Sequence, residues 1–167
     1  MENLSAWFQE QLAHSAETFA WAVEQVPEGR RWLAPPHRPQ EWPMARHVFH
    51  MMYYERKLAL PSMRQWLGEE VHLSKGMLQE DNEWNAGIDL AATLEEFRAV
   101  RTEEITLLKQ FGAEDFERTL DTWAWNEVTL RWVVTKTLQH TFEHTRDILA
   151  IALFWPSWVK RAREKQA

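Results

Sequence analysis

His140 and His144 stand one helical turn apart in the stripe Val133, Thr137, His140, His144, Ile148, Ile151 and Trp155. The three- and four-residue spacings put all seven on one face of a helix. Most of that face is apolar, so it turns towards a core, where an imidazole without a partner is disfavoured. Two neutral imidazoles one turn apart can chelate a divalent cation. They can also hydrogen-bond to each other or to a buried carboxylate. A second pair lies upstream: His47 and His50, at i and i+3 in EWPMARHVFHMMYYERK. Val48, Met51, Tyr54 and Leu58 form the neighbouring apolar stripe, so at least one of the pair faces inward. Metal sites in helix bundles are built this way, from side chains projecting inward from facing helices. Three imidazoles on one ion leave a position for water or substrate, and the ion then polarises a carbonyl or lowers the pKa of a bound water or thiol. Imidazole suits zinc, nickel, copper and iron alike; zinc is the default and nickel the alternative.

Other chemistry is thinner. His140-Thr-Phe-Glu-His144 spells H-x-x-E-H, a metallopeptidase signature in which the glutamate is the general base. That site needs a further acid downstream, and only Asp147 and Glu164 follow. Glu143 reads better as an outward residue beside Arg146 or Asp147. A ligating histidine usually donates its other N–H to a carboxylate or carbonyl. Glu55 and Asp147 are the nearest acids in sequence, and Glu104 stands on a third helix. Arg101 and Glu104 fall close to the inward stripe there, as a buried ion pair or an exposed salt bridge. No Ser-His-Asp ordering or glycine-rich phosphate loop suggests other catalysis.

Four periodic segments must position these groups. The first carries Leu4, Phe8, Leu12, Phe19, Val23 and Val26, with Ser5 as its N-cap and Pro27 and Gly29 ending it. The second opens at Pro43, since proline is favoured at the first helical position, and runs to about Leu60. Pro61 stops or kinks it, and a further turn through Trp66 ends at Gly68. The third has a capping box, Thr93-x-x-Glu96, followed by Phe97, Ile105, Leu108 and Phe111, and closes at Gly112. The last starts near Thr129 and ends before Pro156. Residues 69–90 are polar and aperiodic, a long connection with room for one short helix, and such a loop is often functional. Residues 113–128 read as a connection, without strand-like alternation. The fold class is therefore all-α: one four-helix-bundle domain over residues 1–167, with a long connection between its second and third helices.

The 167 residues are 45% hydrophobic and 26% charged, the balance of a core-forming chain. Cysteine is absent, which excludes disulfides, thiolate metal sites and a cysteine nucleophile. A net charge of −6 offers no cationic field to a nucleic-acid backbone. The longest apolar run, Ile148 to Trp155, is far short of the roughly 20 residues of a membrane span. The N-terminus lacks a signal-peptide pattern. The expectation is a cytoplasmic protein bound to neither nucleic acid nor membrane. The basic tail from Lys160 to Lys165 reads as a solvated helix end. Of the 11 tryptophans, Trp84, Trp123 and Trp125 fall in connections and are candidates for the wall of a pocket over a metal. Trp66, Trp155 and Trp158 are candidates for a homodimer interface.

The pattern of Trp42, eight residues on His50, five on Glu55, and far downstream His140-x-x-x-His144, resembles the DinB-like (YfiT-like) superfamily. The resemblance extends over nearly the whole chain in helix order and histidine placement. It implies a four-helix bundle that binds one divalent metal through His50, His140 and His144. The distances to Trp42 and Glu55 prefer His50 to His47, which would then line the pocket mouth or lie on the surface. Members of the superfamily include transferases that use a low-molecular-weight thiol and mycothiol-dependent isomerases. The resemblance thus implies a metal-dependent transferase acting on a small molecule, or a hydrolase. The alternatives are a non-catalytic, stress-related ligand-binding protein and a dimeric interaction module. The missing cysteine fits a thiol supplied by a cosubstrate. Many relatives carry a glycine in the turn before the last helix; here Thr122-Trp-Ala-Trp-Asn126 takes its place.

Overall fold

The structure, a computed structural model, describes residues 4–72, 78–85 and 87–165, and most of them are helical. Helix α1 (Leu4–Glu24) follows the first periodic segment and buries Phe8, Leu12, Phe19 and Val23. Ser5 lies inside this helix, and its buried hydroxyl donates to the Leu108 carbonyl. Helix α2 (Met44–Tyr54) begins after Pro43, and every one of its residues except His50 is buried.

Pro61 does not stop this rod. Glu55–Ala59 widen into a π turn, and the chain continues as α3 (Leu60–Arg64) and a 3-10 turn to Leu67. A proline ring collides with the carbonyl four residues back and has no N–H for it. A wider turn ahead of the proline makes room for both defects. Gly68, at φ 81°, ends the rod in the left-handed conformation.

A short helix, α4 (Glu80–Glu83), interrupts the polar connection. Helix α5 (Leu90–Leu108) starts one turn earlier than its Thr93-x-x-Glu96 box suggests. Asp89 is the cap, accepting the Ala92 N–H, and the Thr93 hydroxyl donates to the Asp89 carbonyl from inside the helix. Aspartate caps as well as threonine, and the earlier start adds Leu90 to the residues packed on the core.

Residues 113–128 are more than a connection. They form α6 (Ala113–Glu117) and an antiparallel hairpin of β1 (Thr119–Thr122) and β2 (Asn126–Thr129), with Thr122 opposite Asn126. Asn126 has φ 61°, the left-handed residue that closes a three-residue hairpin loop. Asparagine tolerates that conformation, so this turn does without a glycine.

Helix α7 (Leu130–Glu164) is capped by the Thr129 hydroxyl, which accepts the Trp132 N–H. It runs through Pro156 instead of ending before it. Beyond the proline, Trp158 joins Trp155 against the core, and the Arg30 guanidinium lies 5.7 Å over the Trp155 ring. Burial of that aromatic area, on the order of a few kcal/mol, offsets the roughly 3 kcal/mol that an interior proline costs.

Helices α1 and α2 each pack against both α5 and α7. A buried polar knot ties these elements together. Arg101 donates to Glu55 through Nε, at 2.8 Å, and through Nη2, to the Leu12 carbonyl at 3.0 Å, and to the hydroxyls of Ser15 at 2.7 Å and Thr141 at 2.9 Å. Glu104 lies 3.1 Å from its Nε. The Arg101–Glu104 pair is therefore buried. Burial, then Glu55, raises the Glu104 pKa well above the usual carboxylate range. No helix among the described residues is long and apolar enough to cross a membrane.

Candidate metal centre

Helices α2 and α7 bring three imidazoles to one point. His50 Nε2 lies 3.0 Å from His140 Nε2, which lies 3.1 Å from His144 Nε2. One nitrogen of each ring falls within 4.8 Å of the other two. When all three facing nitrogens are unprotonated their lone pairs repel, and a cation among them removes the conflict. A tetrahedral ion with bonds of 2.0–2.1 Å places its ligand nitrogens about 3.3 Å apart. The His50–His140 and His140–His144 spacings are a few tenths of an ångström tighter, within reach of a small ring rotation. A set of neutral nitrogens with no thiolate suits a borderline divalent ion.

His140 and His144, with His47 beside them, are held in the form that binds metal. Burial lowers the His140 pKa to about 2, helped by His144 and His50. Burial, then His47 and His50, lowers His144 to about 3. Burial, then His50, lowers His47 to about 4. All three are neutral at pH 7, and a neutral imidazole is the ligating species.

Outer contacts orient two of the three. His50 Nδ1 lies 2.9 Å from each oxygen of Glu80. An ionised carboxylate only accepts, so Nδ1 carries the proton and Nε2 is left as a lone pair. Glu80 also accepts from Arg46 Nη2 at 2.9 Å, and Asp81 accepts from the same nitrogen at 2.6 Å. The Arg46 guanidinium sits 5.1 Å from the Trp42 ring and 5.2 Å from the Trp84 ring. His144 Nδ1 lies 2.8 Å from His47 Nδ1. His140 Nδ1 is buried with no hydrogen-bond partner among the described residues, and the Tyr54 ring packs on His140 at 4.1 Å. The Trp42 ring stands over the group, 4.9 Å from His50, 5.5 Å from His47 and 6.1 Å from His144.

Two cavities reach these histidines. One, of about 560 Å³, is lined by Trp42, Arg46, His50, Tyr53, Tyr54 and Glu80 among others. The second, of about 750 Å³, includes Trp42, His47, His144, Trp158 and Arg161 in its lining. Trp42 borders both.

A family model of the DinB superfamily matches residues 11–148, from within α1 to just past His144. The chain belongs to the DinB superfamily. No curated protein matches it.

Within this DinB-superfamily chain, the residues singled out by spacing divide clearly. His50, His140 and His144 come together. His47 is buried beside them, neither on the surface nor in the group of three. Glu55 and Glu104 belong to the Arg101 knot, and Asp147 pairs with Arg146 at 2.9 Å. Glu143 accepts from Gln139 at 2.9 Å and borders an apolar groove with Trp7 and Phe142, so it is not placed as a general base. The connection tryptophans do not wall either cavity. Trp84 packs on Phe49 and Arg46, and Trp125 packs on Trp132. The aromatic walls are Trp42, Tyr53 and Tyr54, with Trp158 in the larger cavity. Glu80 and Arg46 are the functional contacts that spacing missed. Their only trace in the sequence is the acidic run Glu80, Asp81 and Glu83 inside an aperiodic stretch.

Proposed function

We propose that this DinB-superfamily protein is a four-helix-bundle metalloenzyme. Its divalent ion, zinc first and nickel second, is held by His50, His140 and His144. It transfers a group between a small-molecule substrate and a low-molecular-weight thiol. The observation that carries the reading is the convergence of three ring nitrogens within 4.8 Å, from two helices and beside two cavities. A bound ion supplies Lewis acidity, holding a thiol as thiolate or polarising an oxygen at its free position. The chain's residues do the rest. Glu80 holds His50 in the ligating tautomer, and Trp42 stands over the rings where both cavities meet them. A transferase is favoured over a hydrolase because two cavities, one touching His50 and one touching His144, provide places for two organic substrates. The chain has no cysteine, so the thiol belongs to the cosubstrate.

The test is elemental analysis of natively purified protein beside His140→Ala and His144→Ala. About one divalent ion per chain is expected in the parent, with loss in both variants. A parent chain that stays metal-free after native purification and after reconstitution overturns the reading.

A further inference from the structure

We propose that His47 is a positioning residue for the metal, fixing the tautomer of His144, and is not itself a ligand. This rests on the three-histidine reading above. His144 uses both ring nitrogens: Nε2 lies 3.1 Å from His140 Nε2, and Nδ1 lies 2.8 Å from His47 Nδ1. A neutral imidazole carries one proton. If the proton sits on His144 Nε2, that nitrogen has no lone pair for an ion. A partner that accepts at Nδ1 draws the proton there and leaves Nε2 free. The His47 Nδ1 lone pair is that acceptor, and the proton of His47 then resides on its own Nε2.

The same geometry argues against His47 as a ligand. The nitrogens that converge belong to His50, His140 and His144, whereas among the described residues His47 groups with His144 and Asp147. In that second group His47 and His144 already face each other in a hydrogen bond through Nδ1, and Asp147 is engaged by Arg146. His47 stands to His144 as Glu80 stands to His50. The i, i+3 spacing on α2 thus places one ligand and one orienting residue side by side. Metal-binding histidines usually donate the second N–H to a carboxylate or carbonyl; here a second imidazole takes that place.

The experiment uses the full chain and its His47→Leu, His47→Asn and His50→Ala variants. Zinc affinity is measured by competition with a chromophoric chelator, and the visible spectrum is recorded with cobalt(II). His47→Leu keeps the bulk and removes the acceptor. It is expected to weaken zinc binding by about 10–100-fold with the cobalt bands unmoved. The asparagine Oδ1 stands near the lost Nδ1 and accepts the same hydrogen bond, so His47→Asn is expected to bind close to the parent. His50→Ala loses the ion. If His47→Leu lacks the parent's helical circular dichroism, His47→Gln replaces it, since its amide sits one methylene too far out and also predicts weakened binding. Unchanged affinity in the acceptor-less variant overturns the proposal and leaves the metal reading intact. Equal losses in the leucine and asparagine variants overturn it, and so do shifted cobalt bands, which would make His47 a ligand. A parent chain that binds neither ion overturns the metal reading itself.

Discussion

Glu80 connects His50 to Arg46, and that link joins a polar connection to the histidine group. Its carboxylate accepts from both side chains at 2.9 Å, so removing it frees His50 Nδ1 and leaves Arg46 with Asp81 alone. Glu80→Ala is expected to lower zinc affinity by about 10–100-fold. Glu80→Gln, which still offers an acceptor oxygen, is expected to lose less. Chelator competition measures both, and equal affinity in the parent and both variants would mean that packing against Trp42 alone orients the ring. His140 and His144 were legible because helical spacing alone defines a face, and His50 because its distances to Trp42 and Glu55 match the family pattern. Glu80 was not: it lies 30 residues beyond His50, where only the tertiary path of the chain decides what it meets. Spacing also could not separate His47 from His50, since i and i+3 share a side. What distinguishes them is which nitrogen each ring presents to α7.

At the scale of elements, local rules failed where packing overrode them. Pro61 reads as a stop or a kink and Pro156 as a stop, and both are absorbed. The first is met by a π turn, and the second by a helix that continues to Glu164. The hairpin of residues 119–129 escaped notice because four-residue strands are too short to show alternation, and its left-handed residue is an asparagine, not a glycine. Pro156 gives a direct measurement of the conflict. The residue is exposed, so its ring contributes little packing, yet it deprives the Ala152 carbonyl of an N–H. Pro156→Ala is therefore expected to stabilise the protein by about 1–3 kcal/mol. The upper end is the helix penalty, and the lower end allows for the greater freedom that alanine gives the unfolded chain. Urea denaturation checks it. An unchanged or lower midpoint would mean that the last turns of α7 are not helical in solution.

For the whole molecule, the metal group and the Arg101 knot are neighbours in the chain: Thr141 accepts from Arg101, and His140 precedes it. The knot thus fixes α7 against α1, α5 and the π turn at the level where the histidines must meet. Both groups make stability depend on pH, with opposite signs. The pKa values of His47, His144 and His140 are lowered to about 4, 3 and 2, whereas histidines of an unfolded chain titrate near 6.5. Above about 6.5 these rings are neutral in both states and their contribution is intact. Below it, the unfolded chain takes up protons that the folded chain refuses, so stability falls progressively as pH drops towards those values. Glu104 behaves the other way. Its pKa is raised on folding, so above the ordinary carboxylate range the unfolded chain releases a proton that the folded chain keeps, and stability falls as pH rises towards the raised value. The metal-free protein is therefore expected to show a falling Tm from pH 7 to pH 5. A His140→Leu, His144→Leu double variant should flatten that acid limb. Glu104→Gln should steepen the acid limb, which Glu104 opposes, and flatten the loss on the alkaline side. Calorimetric scans of the three proteins across pH 5 to 9 measure both limbs. A Tm of metal-free Glu104→Gln protein that stays level down to pH 5 would show that the folded chain accepts protons on these imidazoles as readily as the unfolded one, and that the group is not held neutral by burial.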